Sequence, residues 1–448
     1  MMTDDRKDAI LTQLKVIIDP DLGKDIVTLG FVQDLVIGDD GAVSFRLNLT
    51  TPACPVKDLF VAEAKKRVGE LPWVTSVSVQ LSATSAKSAL DPATNGLANV
   101  TNIIAVSSCK GGVGKSTIAV NLAFNLAQKG AKVGLFDADI YGPSLPTMVH
   151  IEDTQLFYQG SMIKPLELDG VKLMSFGYTQ TGTDGGPAIL RGPIVSQIIK
   201  QLLCQTQWGE LDYLILDLPP GTGDIQLTLS QIIPITAAVI VTTPQYISFV
   251  DVVKGIQMFD TLKVPTIAVI ENMSYFICDD CDKQHFIYGH GAKDRLIRQF
   301  GIQNSFSLPI QKDITLNCDK GTPAVLVSKT FSELFSPITD AIVREISKMR
   351  YQTTSLPELR HSEFEGIVMK VGDIYYSISP ADLRLSCQCA RCVDEWTGAP
   401  LLKTENIAPD IVPLQLKPVG SYAIGINWSD GHSSLYPYEQ LLSQMLPV

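Results

Sequence analysis

The stretch SSCKGGVGKST, residues 107–117, constrains this chain more than any other. An apolar, strand-like segment (NIIAVSS) precedes it and a helix-patterned segment (STIAVNLAFNLAQKG) follows it. Its glycines allow backbone N–H groups to turn toward a phosphate, its lysine adds charge, and its serine hydroxyl suits Mg²⁺. The sequence therefore predicts a nucleotide-binding loop rather than an exposed glycine turn. The predicted contacts are Gly111, Gly112, Val113, Gly114, Lys115, Ser116 and Thr117.

The segment around this loop, residues 101–350, alternates between strand and helix patterns. The runs KVGLFDAD, YLILDLPP, AAVIVTTP and TIAVIENM are short and apolar, which is typical of buried strands. PIVSQIIKQLLCQTQ and SFVDVVKGIQMFDTL have helical spacing. This alternation predicts an α/β fold with a mostly parallel sheet covered on both faces.

Both ends of the chain have other patterns. Residues 1–84 mix helix-patterned and alternating strand-patterned segments, which predicts a small α+β domain. Residues 85–100 are small, polar and unpatterned, so we expect a linker there. Residues 355–448 contain short strand patterns, which predicts a small β-rich domain.

Composition narrows the classes of partner. The formal net charge is −11 and no segment is strongly basic, which argues against nucleic acid and anionic lipid. No apolar run reaches the roughly 18 residues of a membrane helix. The polar start predicts no secretory signal, and nine cysteines then favour a reducing compartment. We expect a cytoplasmic protein, or one of an organelle stroma or matrix if a targeting peptide has been removed.

The loop departs from the common pattern G-x-x-x-x-G-K-[ST], because Cys109 and Lys110 stand where its first glycine is expected. KGGVGKST resembles the deviant Walker A motif of the MinD/ParA/NifH-like class of P-loop ATPases. The resemblance implies that Lys110 reaches the nucleotide of a partner subunit across a homodimer. Its charge would stabilise the phosphates in trans, as an arginine finger does.

Two acidic segments resemble other parts of the same class. LFDADIYGPSLP resembles its switch I, which implies that Asp137 lies near Mg²⁺ and that Asp139 orients the attacking water. LILDLPPGTGD resembles its Walker B strand and switch II, which implies that Asp217 holds Mg²⁺ through water. Gly221 and Gly223 would let that segment move. An acid at a strand end can also merely cap the next helix.

The resemblance also implies where the base binds. Asn272, in IENMS, is the residue expected to hydrogen-bond adenine. Pro309, in LPIQKDI, occupies the place of the loop that lines the base.

Cys278 and Cys281 form a C-x-x-C pair, which supplies two thiolates and so half of a tetrahedral site. The middle domain holds no second pair to complete it, but two copies meeting at a two-fold axis would. The segment resembles the Mrp-type iron–sulfur carriers, with YGHGA after the pair. That resemblance implies a [4Fe–4S] cluster at the dimer interface. Zinc in the same geometry and a redox dithiol remain alternatives.

The last domain holds Cys387, Cys389 and Cys392 in a C-x-C-x-x-C cluster, three soft ligands that favour Zn²⁺. The segment resembles the small zinc-binding domain of gamma-butyrobetaine hydroxylases, which implies His432 as the fourth ligand. An iron–sulfur site or an empty site is the alternative.

In the first domain, DPDLGKDIVTLGFV and TTPACPVKD resemble the PaaD/MIP-type domain of iron–sulfur assembly factors. Cys54 precedes a helix there, which suggests a thiolate stabilised by the helix N-terminus. The alternative is a small buried residue.

The domain order is similar to that of the plastid high-chlorophyll-fluorescence ATPases and their bacterial relatives. This implies a weakly hydrolysing, ATP-dependent iron–sulfur scaffold that passes clusters from donors to apo-proteins. Two alternatives stay open: a MinD/ParA-like positioning ATPase and a zinc metallochaperone. The first would require a basic or amphipathic tail, and YEQLLSQMLPV is neither basic nor long.

Overall fold

The computed structural model describes residues 2–83, 95–179, 192–221, 225–226, 229, 233–351, 357–362, 364–389, 391–393, 399–419 and 423–448. Most of the predicted linker and Gly223 lie outside the described residues. The end of that linker is not irregular, because Gly96–Asn99 forms a 3₁₀ turn with mostly buried residues.

The first elements build a small sheet covered by helices. In chain order they are α1 Met2–Leu14, β1 Val32–Ile37, β2 Ala42–Leu49, α2 Lys57–Gly69 and β3 Ser76–Ala83. The strand order is β1-β2-β3, with β1 antiparallel and β3 parallel to β2. Alternate residues of β2 are buried, and they share one hydrophobic core with Phe60, Ala64 and Val68 of α2.

Residues 100–351 contain most of the regular structure. The helices are α3 Lys115–Gln128, α4 Leu145–Met148, α5 Gly192–Gln205, α6 Tyr246–Thr261, α7 Ala292–Phe300, α8 Lys312–Asp319, α9 Ala324–Val327 and α10 Lys329–Tyr351. The strands are β4 Val100–Ser107, β5 Val133–Asp137, β6 Tyr158–Gln159, β7 Met162–Ile163, β8 Leu166–Leu168, β9 Val171–Ser175, β10 Leu211–Asp217, β11 Ala237–Thr242, β12 Thr266–Ile277, β13 Gln284–His285 and β14 Ser305–Ile310. The predicted strand–helix alternation is present except at β6–β9 and β12–β13, where strands follow one another directly.

The chain divides into two compact units. One comprises Met1–Ser107, Gly114–Ala237 and Gln311–Thr353, and the other Ser108–Val113, Ala238–Ile310 and Thr354–Val448. This division differs from the three predicted domains, whose boundaries stay a prediction.

The first unit holds a sheet in the order β4-β10-β5-β9-β8. Its strands are parallel except that β8 pairs antiparallel with β9. Strands β5 and β10 are apolar and almost wholly buried, as expected when both faces of a parallel sheet are covered. Because the strands are parallel and in register, β5 and β10 end side by side at Asp137 and Asp217.

In the second unit β12 pairs parallel with β11 and β14 and antiparallel with the short β13. At 12 residues β12 is long, and its last residues extend into a hairpin with β13. The stretch LPIQKDI, predicted as a loop, is instead the end of β14 followed by α8, with Pro309 in the strand.

The last residues form two small antiparallel sheets. The elements are β15 Glu358–Ser362, β16 Gly366–Val371, β17 Ile374–Ile378, α11 Pro380–Leu385, β18 Pro413–Val419, β19 Ala423–Trp428, β20 Ser433–Pro437, α12 Tyr438–Gln444 and β21 Leu446–Pro447. The strand orders are β15-β16-β17-β21 and β18-β19-β20. The predicted β-rich character of this segment is confirmed.

Candidate functional sites

The loop between β4 and α3 has the backbone of an anion-binding turn. Gly112 and Gly114 have φ of 78° and 83°, in the left-handed region that glycine tolerates. Gly114 immediately precedes α3, and no side chain among the described residues caps that helix start. Its first N–H groups are therefore available to an anion, and the helix dipole favours negative charge there.

Two lysines of this segment differ in environment. The side chain of Lys115 is buried, with 7% of its area exposed, and its Nζ forms an ion pair with Asp217 Oδ1 and lies 3.3 Å from Ser116 Oγ. Lys110 is exposed, and its backbone carbonyl accepts a hydrogen bond from the Ser108 hydroxyl at 3.0 Å. One lysine is thus held inside the protomer and the other is available to the surroundings.

Asp137 and Asp217 end adjacent strands as buried carboxylates. Burial raises the pKa of both carboxyl groups. The negative charge of Asp217 raises the pKa of Asp137 further, whereas Lys115 lowers that of Asp217. The Ser116 hydroxyl also hydrogen-bonds Asp217. Paired buried carboxylates beside a hydroxyl are oxygen ligands that suit a hard divalent cation, so these residues fit Mg²⁺.

Asp137 has a second role that its sequence position only partly indicates. Its Oδ2 accepts hydrogen bonds from the backbone N of Ser144 and Leu145 and from Ser175 Oγ, at 3.0–3.1 Å. Its Oδ1 accepts one from the backbone N of Asp139. Asp137 therefore fixes the segment that follows β5, including Asp139, whose own Oδ1 accepts from the backbone N of Gly142 at 3.2 Å.

Asn272 contacts the phosphate loop from β12. Its side chain is buried, and its Nδ2 donates to the carbonyl of Val113 at 2.9 Å. Pro309 pairs opposite Tyr275 in the neighbouring strand. The structure brings Asn272 to the loop, and its contact with adenine stays a prediction.

Cys278 and Cys281 lie in the turn of the hairpin between β12 and β13. The backbone N of Cys278 donates to Lys283 O at 3.0 Å, and that of Asp282, which has φ of 56°, donates to Cys278 O at 2.9 Å. Cys278 is half-exposed and Cys281 is exposed. The backbone N–H groups of Asp280 and Cys281 lower the pKa of the Cys278 thiol. The turn thus presents two accessible sulfurs, one of them favoured as thiolate.

Large apolar side chains are exposed on this hairpin, next to charged residues such as Asp279, Asp280 and Lys283. Ile277, Phe286, Ile287 and Tyr288 are each between 38% and 60% exposed. Large exposed side chains clustered around two thiols are unusual for a surface that faces only water.

The cysteine cluster of the last sheets is a compact group of side chains that could hold a metal ion. The Sγ atoms of Cys387, Cys389 and Cys392 lie 3.4, 3.5 and 3.7 Å from His432 Nε2. All four atoms lie within 4.8 Å of one another. Tetrahedral Zn²⁺, with Zn–S near 2.3 Å and Zn–N near 2.0 Å, requires an S···N separation of about 3.6 Å. The donor set therefore fits one zinc ion, whereas each cysteine of a cubane binds a different iron.

Two residues that sequence reasoning missed support this site. Arg384 is buried, and its guanidinium donates to Cys392 Sγ at 3.3 Å and to Asp430 Oδ2 at 2.9 Å. Asp430 Oδ1 accepts from the backbone N of His432 at 2.9 Å. Arg384 thus offsets thiolate charge, and the bridging carboxylate fixes the loop that carries the histidine.

The thiols of this site also share protons. Hydrogen bonds from Cys387 and Cys392 and the nearby His432 lower the pKa of Cys389 to about 4, although burial opposes this. Donating its S–H to Cys389 is the main cause that raises the pKa of the Cys387 thiol, and burial adds to the effect. One thiolate held by neighbouring donors is the arrangement that a metal ion would replace.

The expectation that Cys54 is a thiolate is wrong. The backbone N–H of Val56 does favour the charged form, but burial dominates and raises the pKa of the Cys54 thiol to about 11. The helix start is present, yet the thiol is partly buried beside Phe31, Leu49 and Val343. The buried alternative is the one the structure supports.

Comparison with known proteins defines the class of this chain. Residues 99–346 match the model of the NUBPL iron-transfer P-loop NTPases, which is more than half of the chain. Residues 7–80 match the model of iron–sulfur cluster assembly proteins, and residues 372–442 that of the gamma-butyrobetaine hydroxylase-like N-terminal domain. The fold and the site are thus those of a P-loop NTPase with a phosphate loop between strand and helix.

Two curated relatives are similar to this chain over most of its length. The chain is 49% identical over 440 residues to the chloroplastic Fe-S cluster assembly factor HCF101 of Arabidopsis thaliana, covering 96% of this chain and 81% of that protein. It is 43% identical over 345 residues to an iron-sulfur cluster carrier protein of Synechocystis, covering 76% of this chain and 96% of that protein. The chain therefore belongs to the NUBPL iron-transfer P-loop NTPase family, as the loop and the C-x-x-C segment predicted.

A solved structure is also similar. The nucleotide-binding protein of Archaeoglobus fulgidus, in complex with ADP, is 36% identical with a TM-score of 0.46, covering 51% of this chain and 89% of that chain. Among the described residues, no helix is long and apolar enough to span a membrane.

Proposed function

We propose that this protein is an ATP-dependent iron–sulfur cluster scaffold and carrier, which holds a [4Fe–4S] cluster between two copies of the chain and transfers it to apo-proteins. The observation that carries the proposal is the hairpin turn with Cys278 and Cys281. Both sulfurs are accessible, and the pKa of the Cys278 thiol is lowered. An exposed thiolate can bind iron and also release it to another protein's thiolates.

One protomer supplies only half of the ligands. Within the described residues, the single group of three or more clustered metal-binding side chains is the C-terminal one. Cys278 and Cys281 therefore need two further ligands, which a second copy provides across a two-fold axis. The exposed Phe286, Ile287 and Tyr288 beside them would then be covered by the partner.

Nucleotide binding would control this pairing. Gly111, Gly112 and Gly114 would turn the loop around the phosphates, while Lys115 and the N–H groups of Ser116 and Thr117 would bind them. Asn272 and Pro309 would lie at adenine. The exposed Lys110 would reach the nucleotide bound by the partner.

Mg²⁺ would be held by Ser116, and by Asp137 and Asp217 through water, and it would neutralise phosphate charge. Asp139, fixed by the loop that Asp137 anchors, would orient the attacking water. Hydrolysis of ATP to ADP and phosphate would be slow, because its role here is to reset the dimer.

Zn²⁺ held by Cys387, Cys389, Cys392 and His432 would be structural. Four protein ligands leave no open position, which is characteristic of structural zinc. The site would hold α11 and the loop before β20 together.

The test is anaerobic reconstitution with iron and sulfide, followed by metal analysis and Mössbauer spectroscopy. We expect about four irons and four sulfides per dimer in the wild type, and their loss in the Cys278→Ser/Cys281→Ser variant. A Cys204→Ser variant is the matched control. Zinc alone at the hairpin would support a zinc metallochaperone, and retention of the cluster by the double variant would contradict the proposal.

A further inference from the structure

Two neighbouring side chains of β12 contact two different parts of the molecule. Asn272 donates to the Val113 carbonyl of the phosphate loop at 2.9 Å. Glu271, which is 3% exposed, accepts from Ser274 Oγ at 2.5 Å and from the backbone N of Lys293 at 3.3 Å. One strand thus joins the phosphate loop to a second hydrogen-bonded cluster.

The backbone between these contacts is irregular. Met273 has φ of 54°, a left-handed conformation that is uncommon for a residue other than glycine. The register of β12 with β14 shifts between Glu271 and Tyr275, so the strand bulges there. The Glu271–Ser274 hydrogen bond spans this bulge and holds the strained residue between its ends.

The partners of Glu271 lie at the two ends of the cysteine hairpin. Ser274 comes just before residues 275–291, and Lys293 comes just after them, in the first turn of α7. Ser274 is buried, whereas Cys281 to His290 are exposed. The hairpin is therefore fixed at its base and exposed at its tip, where the cysteines lie.

We propose that Glu271 is a positioning residue that couples occupancy of the phosphate loop to the placement of Cys278 and Cys281. This inference rests on the proposed function, in which those thiols hold the cluster. A phosphate entering the loop changes the position of the Val113 carbonyl, and Asn272 passes that change to β12. Glu271 then transmits this change to both ends of the hairpin, because one of its carboxylate oxygens accepts from Ser274 and the other from the backbone N of Lys293.

The coupling needs two arrangements of one contiguous network, and the bulge at Met273 is the element able to adopt them. The left-handed conformation is disfavoured for a residue other than glycine, so a change in the contacts around Met273 can favour an ordinary backbone conformation instead. Nucleotide binding would shift the balance between the two arrangements at Met273. The carboxylate of Glu271 would then move the hairpin together with β12.

The test uses the apoprotein, so it is independent of cluster binding. Alkylation of Cys278 and Cys281 by iodoacetamide is followed by peptide mass spectrometry, with and without Mg-ATP. We expect ATP to change the wild-type rate by about fivefold or more. Glu271→Gln, which removes one acceptor, and Ser274→Ala, which removes one donor, should reduce that ratio to within about twofold. Ser274→Thr keeps the hydroxyl and should therefore keep the wild-type ratio of alkylation rates.

Controls separate coupling from damage. Ser305→Ala, at the start of the neighbouring strand β14, removes a hydroxyl that donates to Ile302 O, and this variant should keep the wild-type ratio. Binding of a fluorescent ATP analogue should remain within about threefold in all variants. Unchanged ATP dependence in Glu271→Gln and Ser274→Ala, no ATP dependence in the wild type, or loss of nucleotide binding in both variants would overturn the proposal.

The alkylation experiment and the iron–sulfur reconstitution together distinguish the two proposals. If the wild type takes up no iron and sulfide, the proposed function fails. An ATP effect on alkylation that disappears in Glu271→Gln would still support the coupling.

Discussion

Lys110 and Lys115 lie in one loop, but their environments predict separate roles. Lys115 is buried against Asp217, whereas Lys110 is exposed. We expect Lys115→Ala to weaken ATP binding at least tenfold, because it removes the buried charge beside the phosphate-binding N–H groups. The Lys110→Ala variant should keep an affinity for ATP within about threefold of the wild type, but its rate of phosphate release should fall to a small fraction of the wild-type rate. Titration calorimetry and a phosphate assay measure the two effects, and identical losses in both variants would disprove the separation.

The thiols of Cys54 and Cys278 should differ in reactivity. Alkylation proceeds through the thiolate, and the pKa of Cys54 is raised to about 11, so at pH 8 about one part in a thousand is ionised. The pKa of Cys278 is lowered, mainly by backbone N–H groups, so its alkylation should reach half its maximal rate at a lower pH than that of an unperturbed thiol. Peptide mass spectrometry between pH 6 and 10 measures both in one sample. Rapid labelling of Cys54 at pH 7 would contradict the burial argument.

The sequence identified ligands by type and spacing but not the residues that support them. C-x-C-x-x-C and a later histidine indicated four side chains that the structure brings together, and metal binding by them stays a prediction. Arg384 contacts Cys392 and Asp430, and the second of these is 46 positions away. A pair at that separation depends on the fold of two sheets, which local pattern does not reveal.

At the scale of elements, strands were predictable where they are buried on both faces. β5 and β10 are almost wholly apolar up to their last residues, and α3 is buried on nearly all sides. The bulge of β12 was not predictable, because it depends on register with β14. Pro309 was placed in a loop, although an edge position allows proline in a strand.

The metal site around α11 and β20 gives a prediction for these elements. Purified protein should contain about one zinc per chain, and His432→Ala or Cys389→Ser should reduce it below about 0.2 with a lower Tm, since structural zinc stabilises the fold around it. Arg384→Met should retain zinc but bind it 10–100-fold more weakly, as expected when a supporting residue is lost. Elemental analysis and chelator competition measure these effects. Full zinc content in His432→Ala would show that the fourth ligand is another group.

At the scale of the whole molecule, the exposed hairpin face should mediate self-association. Ile287 is 60% exposed beside the cysteines, and Leu414 is 70% exposed in β18. Ile287→Asp should shift reconstituted protein from dimer to monomer, because it places a charge in a surface that the partner would cover. Leu414→Asp is the matched control and should remain dimeric. Anaerobic size exclusion with light scattering measures the molar mass of each variant and so its oligomeric state. A dimer in both variants would place the interface elsewhere.

The central claim is that Cys278 and Cys281 carry a cluster which the protein delivers under nucleotide control. The most direct measurement is transfer from the reconstituted protein to an apo-enzyme that needs a [4Fe–4S] cluster, with a chelator present to trap free iron. We predict that wild-type protein activates the acceptor at a rate that differs between Mg-ATP and ADP, and that Cys278→Ser/Cys281→Ser does not activate it. Equal activation by the double variant, or by free iron and sulfide under the same chelator, would contradict the account.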